Sequence, residues 1–488
     1  LTLGSLTLTG LTGNGEVSDY TVPATLSIAA SITPRPLAVS GSNVSKVYDG
    51  TTAMTGVTVN LVAVTGVVES GLVGSEQLTV SGGTGAFDSK DVGTGKTFSL
   101  TGGSLSATGG ADAANYSIPG GGVGTITGSD GEITVRPLVI TFTGDDRVYD
   151  GTLTATVTDT YADSTKAPVA GDDLTIVRSA SFADKNVGTD KTVTISGVSL
   201  SGADSSNYSL LSADGASYNA SATADVARLA SVTWTGSGDG SNWFDPANWA
   251  STADSSITGA VPDGANVAAV VIDGSTTVTF DEGSRSGLAE AGTVEIDSLS
   301  GASATLNLTA GTLALGTSGG TLSGLAQTGG ALTSTGVLTV SSSFSQTAGT
   351  LGSTGSTANI SITQSSGDLT WESISSGGNL TLNSPGKTTF GATTVGGNLL
   401  SVTAGTGAAG GVSQAASTAL SVTGTSEFRA DTGTDQVAAL TAATNNFVGA
   451  VSFTSSNSGS WLNLAVTDGA GGLTLGDVTA TGTLALTS

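Results

Sequence analysis

The sequence predicts an all-β protein in which tandem immunoglobulin-like β-sandwich repeats are followed by a right-handed parallel β-helix. Three observations carry this expectation. Short alternating runs such as Gln77-Leu78-Thr79-Val80 and Thr97-Phe98-Ser99-Leu100 are separated by Gly, Asp, Asn and Ser, the pattern of half-buried strands between turns. Two segments of about a hundred residues repeat the same motifs in the same order. Beyond about residue 230 the texture turns rich in Gly, Ser and Thr, with Ile360, Leu380, Leu400, Leu420 and Leu440 standing 20 positions apart. A regular interval near 20 in a strand-like sequence is the mark of a solenoid.

Composition excludes more than it names. Of 488 residues, 14 are basic and 39 acidic, a formal net charge of −25. That balance excludes nucleic acid as a partner, because phosphate contacts need Lys and Arg. Only 11% of residues are charged, yet mean hydropathy is +0.20, so the chain is not an acidic disordered tail. There is no His and no Cys. Imidazole- and thiolate-based nucleophile systems and metal sites are therefore absent, and no disulfide supports the fold. The sequence has no run of about 18 apolar residues and no signal-peptide pattern after Leu1, so it is expected neither to span a membrane nor to carry its own export signal.

The repeat units follow from their markers. Arg35-Pro36-Leu37 returns as Arg136-Pro137-Leu138, and Val47-Tyr48-Asp49-Gly50-Thr51 returns as Val148-Tyr149-Asp150-Gly151-Thr152, each 101 positions later. Phe87 with Asp91-Val92-Gly93-Thr94 corresponds to Phe182 with Asn186-Val187-Gly188-Thr189, and Asn115-Tyr116-Ser117 to Asn207-Tyr208-Ser209. Leu6-Thr7-Leu8-Thr9-Gly10 with Asp19-Tyr20-Thr21 has the look of the end of a further copy. The expected domains are thus 1–33, the end of a preceding repeat; 34–134 and 135–230, two full repeats; and 231–488, a Trp-rich cap with the β-helix. Phe87 and Phe182 should occupy equivalent cores, as should Tyr116 and Tyr208. Tyr48 and Tyr149 are expected to be buried with their hydroxyls tied to a nearby loop. In the helix, Ile360, Leu380, Leu400, Leu420 and Leu440 should form one inner column, with Leu382 and Val422 in a parallel column. The last coil should present an open edge.

Candidate sites are few. Trp234, Trp243 and Trp249 cluster in one stretch and form either a cap over the first coil or a carbohydrate platform, the cap being favoured because an open β-helix end must be covered. Asp239, between Gly238 and Gly240, is the best candidate for a Ca²⁺ ligand, although the alternating acidic series of an EF-hand loop is missing. No other cofactor is expected. Gly93-Thr94-Gly95-Lys96-Thr97 lacks the first Gly of a phosphate-binding loop, and Gly316-Thr317-Ser318-Gly319-Gly320 has no His to deprotonate its Ser. The acidic pairs Asp145-Asp146, Asp172-Asp173 and Asp281-Glu282 are expected in solvated turns.

The Lys/Arg-Val-Tyr-Asp-Gly-Thr, Asp/Asn-Val-Gly-Thr and Asn-Tyr-Ser motifs resemble the YDG repeats of large secreted bacterial adhesins of the filamentous-haemagglutinin type. The Trp-rich stretch and the coils after it are similar to the β-helical passenger regions of those adhesins and of autotransporters. The resemblance implies a non-enzymatic stalk or fibre segment of a secreted surface adhesin, supporting attachment, cell-cell contact or biofilm. It implies as partners the neighbouring repeats, other adhesin fibres or surface glycans, and an outer-membrane secretion protein. A carbohydrate- or receptor-binding tip is the alternative, and a polysaccharide-degrading β-helix using paired carboxylates the third choice.

Overall fold

In the computed structural model the described residues are 16–21, 28–36, 39–42, 44–54, 59–63, 72–74, 76–81, 83–108, 112–117, 125–161, 163–211, 220–285 and 292–488. Their regular elements are strands and three-residue 3-10 turns. Two compact units result: Leu1–Thr141 with Asp159–Ser179 and Ser196–Asn219, and Phe142–Thr158 with Ala180–Ile195 and Ala220–Ser488. The division runs through the second repeat.

In the first unit, strands Val39–Ser42, Val59–Ala63, Gln77–Ser81 and Ser104–Thr108 pair antiparallel in that order. A second sheet orders Ser45–Val47, Ile126–Thr134, Gly93–Thr101 and Thr84–Phe87. Side-chain alternation decides what is buried: in Gly93–Thr101, Phe98 and Leu100 face the core while Thr97, Ser99 and Thr101 are exposed. The Phe98 ring meets Phe87 edge-on, centroids 6.2 Å apart. Lys96 lies on this strand and donates to Ser89 Oγ at 2.6 Å, so the Gly-Lys-Thr segment is a strand rather than a loop around phosphate.

The repeat markers occupy matching positions. Phe87 donates its amide to the Thr52 carbonyl and Phe182 to that of Leu153, both at 2.9 Å, and both rings are buried. Lys46 and Arg147 sit over these rings at 5.9 and 5.1 Å. Buried Tyr116 and Tyr208 each follow a 3-10 turn, Ala113–Asn115 and Ser205–Asn207, and each pairs in parallel with an arginine, Arg35↔Tyr116 and Arg136↔Tyr208. Val17–Asp19 with extended Tyr20 repeats that local arrangement, whereas Leu6–Gly10 lies outside the described residues.

In the second repeat a sheet is ordered Arg147–Val148, Ala220–Ala227, Gly188–Ser201 and Thr175–Phe182, and the second unit then continues as a β-solenoid of about 8 turns. Strand Leu229–Trp234 pairs in parallel with Val267–Val271, which opens the stack. Successive coils pair in parallel, one inner column running Leu338, Ile360, Leu380, Leu399, Ser426 and Val451. Asn359, Asn379 and Asn398 form a ladder at the coil corners, each side chain accepting the backbone amide of Asn379, Asn398 and Thr425 respectively at 2.8–2.9 Å. Trp371, Phe390, Phe428, Phe453 and Trp461 form an aromatic series with successive centroids 4.9, 5.9, 5.1 and 5.6 Å apart.

The expected column of five therefore breaks after Leu380. Leu399 takes the inner place, while Leu400 pairs with Thr381 and Glu427 and is only half-buried. Leu420 pairs with Thr393, and Leu440 with Val466, in other columns. The cause is coil length: one coil spans 19 positions, Leu380 to Leu399, and the next 27, Leu399 to Ser426, because the latter carries the extra turn Gly407–Ala409. A fixed interval of 20 cannot follow coils of unequal length. Leu382 does stack between Ile362 and Ser401, but Val422 stacks between Val395 and Phe447, on a different column. In the final strands Leu475, Leu484 and Leu486 are exposed.

Candidate functional site

The Tyr-Asp-Gly motif forms a stapled turn in both repeats. Asp49 Oδ1 accepts from the Thr51 amide and hydroxyl, each at 2.9 Å, and from Lys46 Nζ at 2.7 Å. Asp150 does the same with Thr152, at 2.8 and 2.9 Å, and pairs with Arg147. Gly50 and Gly151 have φ of +80° and +79°, which a residue with a Cβ rarely adopts. With Asp and Thr tying the turn and Gly reversing it, the fully buried tyrosine points away from its own repeat.

In the first unit Tyr48 reaches the second repeat. Its hydroxyl donates to Asp172 Oδ2 at 2.8 Å, and its ring meets Tyr208 edge-on at 5.4 Å. Lys90 approaches from the Asp-Val-Gly-Thr loop, 5.7 Å from the Tyr48 ring centroid, and donates to Asp172 at 3.1 Å and Asp204 at 2.8 Å. The Val92 amide donates to Asn207 Oδ1 at 2.9 Å. Tyr208 also donates to Asp172, while accepting from the Val169 amide at 2.9 Å. A Cβ on Gly50 would lie 2.6 Å from Val169 Cγ1, so the motif needs Gly for closeness as well as for φ. Burial alone raises the Asp172 carboxyl, but hydrogen bonds from Tyr208, Tyr48 and Lys90 together outweigh it and hold it below the usual range. The contacts to Asp204, Tyr48 and Asp172 raise the Lys90 ammonium.

The second unit repeats this construction between the second repeat and the start of the solenoid. Tyr149 donates to Asp263 Oδ1 at 3.0 Å, Lys185 to Asp263 Oδ2 at 2.8 Å, and the Val187 amide to Asn266 Oδ1 at 2.9 Å. Lys185 stands 5.7 Å from the Tyr149 ring centroid, as Lys90 does from that of Tyr48. Asn266 further donates to Asn186 at 2.9 Å and to Asp263 at 3.1 Å. A Cβ on Gly151 would stand 2.8 Å from the Gly259 carbonyl oxygen. The Asp263 side chain is only 3% exposed, and a buried carboxylate persists only when paired. Burial, followed by the Asp263 charge, raises the Tyr149 hydroxyl.

One donor set, Tyr hydroxyl, Lys ammonium and Val amide, thus recurs at both joints; the lysine and the Val amide meet the Asp and Asn of an Asp-x-x-Asn segment each time, while the tyrosine goes to Asp172 in the first and to Asp263 in the second. The acceptors share a spacing, Asp204-Ser205-Ser206-Asn207 and Asp263-Gly264-Ala265-Asn266. The three motifs that define the repeat are legible in the sequence; that they meet the next module is not. Asp-x-x-Asn also occurs at Asp112–Asn115, Asp239–Asn242 and Asp245–Asn248, so the spacing alone does not mark the acceptors.

The other candidates lie elsewhere. Trp234, Trp243 and Trp249 are buried, with centroids 4.9 Å apart for Trp234–Trp249 and 5.1 Å for Trp243–Trp249. Trp243 Nε1 donates to the Pro262 carbonyl at 2.9 Å, beside Asp263. Asp239 accepts from the Ser241 and Asn242 amides and Asn248 Nδ2 at 2.8–2.9 Å, and these bonds, the Asn242 amide foremost, lower its carboxyl. Asp145, Asp146, Asp281 and Glu282 each accept from nearby hydroxyls or amides, holding loops in place. Ser318 lies within the strand Thr312–Gln327. Among the described residues no cluster of three or more metal-ligating side chains occurs.

Residues 33–123 and 134–220 each match the YDG domain, and residues 377–454 match a family described as repeats of unknown function (DUF5649). No curated protein and no solved structure matches the chain. The chain is a YDG-containing β-helical protein.

Proposed function

We propose that this chain is a non-enzymatic stalk segment of a large secreted bacterial surface adhesin, and that its YDG motifs serve to lock successive modules into series. The observation that carries this reading is the recurrence of the same Tyr, Lys and Val contacts at two successive junctions, one onto Asp172, Asp204 and Asn207 and the other onto Asp263 and Asn266. A stalk transmits load only if its joints are ordered, and a charged hydrogen-bonded joint with a buried aromatic supplies order without a flexible linker. The low Lys and Arg content suits an extended surface that must remain soluble beside anionic membranes. We read the YDG repeats as immunoglobulin-like sandwiches and the coils as right-handed, the hand parallel crossovers adopt. The buried indoles of Trp234, Trp243 and Trp249 favour a cap over a sugar platform, since stacking on a sugar requires an open ring face.

Cells displaying the full chain on an outer-membrane anchor, with an epitope at the distal end, test the proposal. Epitope height should rise by a constant increment for each additional YDG repeat inserted. An unchanged height, or glycan binding abolished by Trp243→Ala, would contradict it.

A further inference from the structure

The first repeat carries a third copy of the acceptor set, and among the described residues no side chain of another repeat bonds to it. Asp112-Ala113-Ala114-Asn115-Tyr116 matches Asp204-Ser205-Ser206-Asn207-Tyr208 in order, each with a 3-10 turn followed by an extended tyrosine, although Asp112 Oδ1 caps its own turn by accepting the Ala114 amide at 3.0 Å and Asp204 makes no such bond. The Val73 amide donates to the Tyr116 hydroxyl at 3.0 Å, as Val169 does to Tyr208 at 2.9 Å. Tyr116 in turn donates to Glu76, three residues after Val73, as Tyr208 does to Asp172, three after Val169. Glu76 is thus the counterpart of Asp172. The difference lies in exposure: Asn207 is 2% exposed beneath the first repeat, whereas Asp112 and Asn115 are exposed.

We propose that Glu76, Asp112, Asn115 and Tyr116 form a docking face for the Tyr-Asp-Gly side of another YDG repeat. The occupant is fixed by chemistry. The two carboxylates match a lysine ammonium, the Glu76 oxygens a tyrosine hydroxyl, and the Asn115 amide oxygen a backbone N–H at the spacing of Lys-Asp/Asn-Val. The face rests on the joint reading above and deepens it by naming the partner.

Thr134 and Ala227 both accept the amide of their repeat's YDG tyrosine, so 34–134 and 135–227 are equivalent spans. The test inserts one extra copy of 34–134 between Thr33 and Pro34 of the full chain, and in a second molecule an extra copy of 135–227 at the same place. Zero-length carbodiimide coupling, read by mass spectrometry, then joins ammonium and carboxylate groups already in contact. The first molecule should yield Lys90 joined to Asp112 or Glu76, and the second Lys185 joined to Asp112 or Glu76, products that the unmodified chain does not form. Their yields should match those of Lys90–Asp204 and Lys185–Asp263 within about threefold, and Tyr48→Phe with Lys90→Gln in the extra copy of 34–134 should abolish the first. Formation of Lys90–Asp204 and Lys185–Asp263 in both molecules without either new product would overturn the docking face. Failure of those native products would instead overturn the joint reading itself.

Discussion

Lys185→Met isolates the energy of the joint at the start of the solenoid. The lysine side chain is 13% exposed and its partner Asp263 3% exposed. Removing one member of a buried ion pair costs about 3–5 kcal/mol, most of it from the carboxylate left behind. Asp263 keeps Tyr149 at 3.0 Å and Asn266 at 3.1 Å, which places the expected cost near the lower end, about 3 kcal/mol. The Val187 amide is a built-in reporter, because its acceptor is Asn266. Its hydrogen exchange should accelerate roughly a hundredfold if local opening governs exchange, at about 1.4 kcal/mol per tenfold. Peptides covering Ile360–Thr363 should exchange unchanged, because solenoid coupling is carried by nearest neighbours. Adding Asp263→Asn should restore part of the loss, since the stranded charge disappears. An acceleration of Val187 below about threefold, or equal acceleration at Ile360–Thr363, would refute the reasoning.

Tyr48→Phe and Tyr149→Phe each remove a hydrogen bond to a carboxylate and should cost about 1.5–3 kcal/mol, measured by urea unfolding. Gly151→Ala should destabilise more than an ordinary surface change, by about 1–3 kcal/mol, because φ of +79° and the Gly259 carbonyl both oppose a Cβ. The first joint should weaken in acid: the lowered Asp172 carboxyl stabilises above its ordinary value near about 4 and loses that contribution as pH falls through its folded value. Both joints should weaken in alkali, since the raised Tyr149 hydroxyl in the second and the raised Tyr48 hydroxyl and Lys90 ammonium in the first contribute fully below about pH 10 and lose that contribution as pH rises through their folded values; exchange at Val92 and Val187 across pH reads each joint. Leu399→Asp should cost several kcal/mol in thermal unfolding while Leu400→Asp costs about 1 or less, because only Leu399 faces the core.

Strand content and repeat order were legible because period-2 alternation and recurring turn residues are local signals, as in Gly93–Thr101 and the two Asn-Tyr-Ser closures. The solenoid was legible as texture, but its register was not, because coils of 19 and 27 positions, the longer carrying the turn Gly407–Ala409, cannot keep a fixed period. Tyr48 and Tyr149 were expected to be buried with tied hydroxyls, and they are. Their partners, Asp172 and Asp263, stand 124 and 114 positions away, beyond the reach of any local pattern. Asp172 looked like a turn residue for the same reason: a pair of adjacent acids shows its solvated form in sequence, and only the fold reveals which of the two meets a tyrosine and a lysine.

The central claim is that YDG residues hold neighbouring modules in one arrangement. The chain has no cysteine, so nitroxide labels at Ser99→Cys and Val177→Cys, both exposed and both in the first unit, attach without background. Pulsed dipolar spectroscopy then reads the distance distribution between the first and second repeats. A single narrow peak in the otherwise native chain, broadening when Tyr48→Phe and Lys90→Gln are combined, is the predicted result. A distribution equally broad before and after those substitutions, or equally narrow, would contradict the claim that this motif forms the joint.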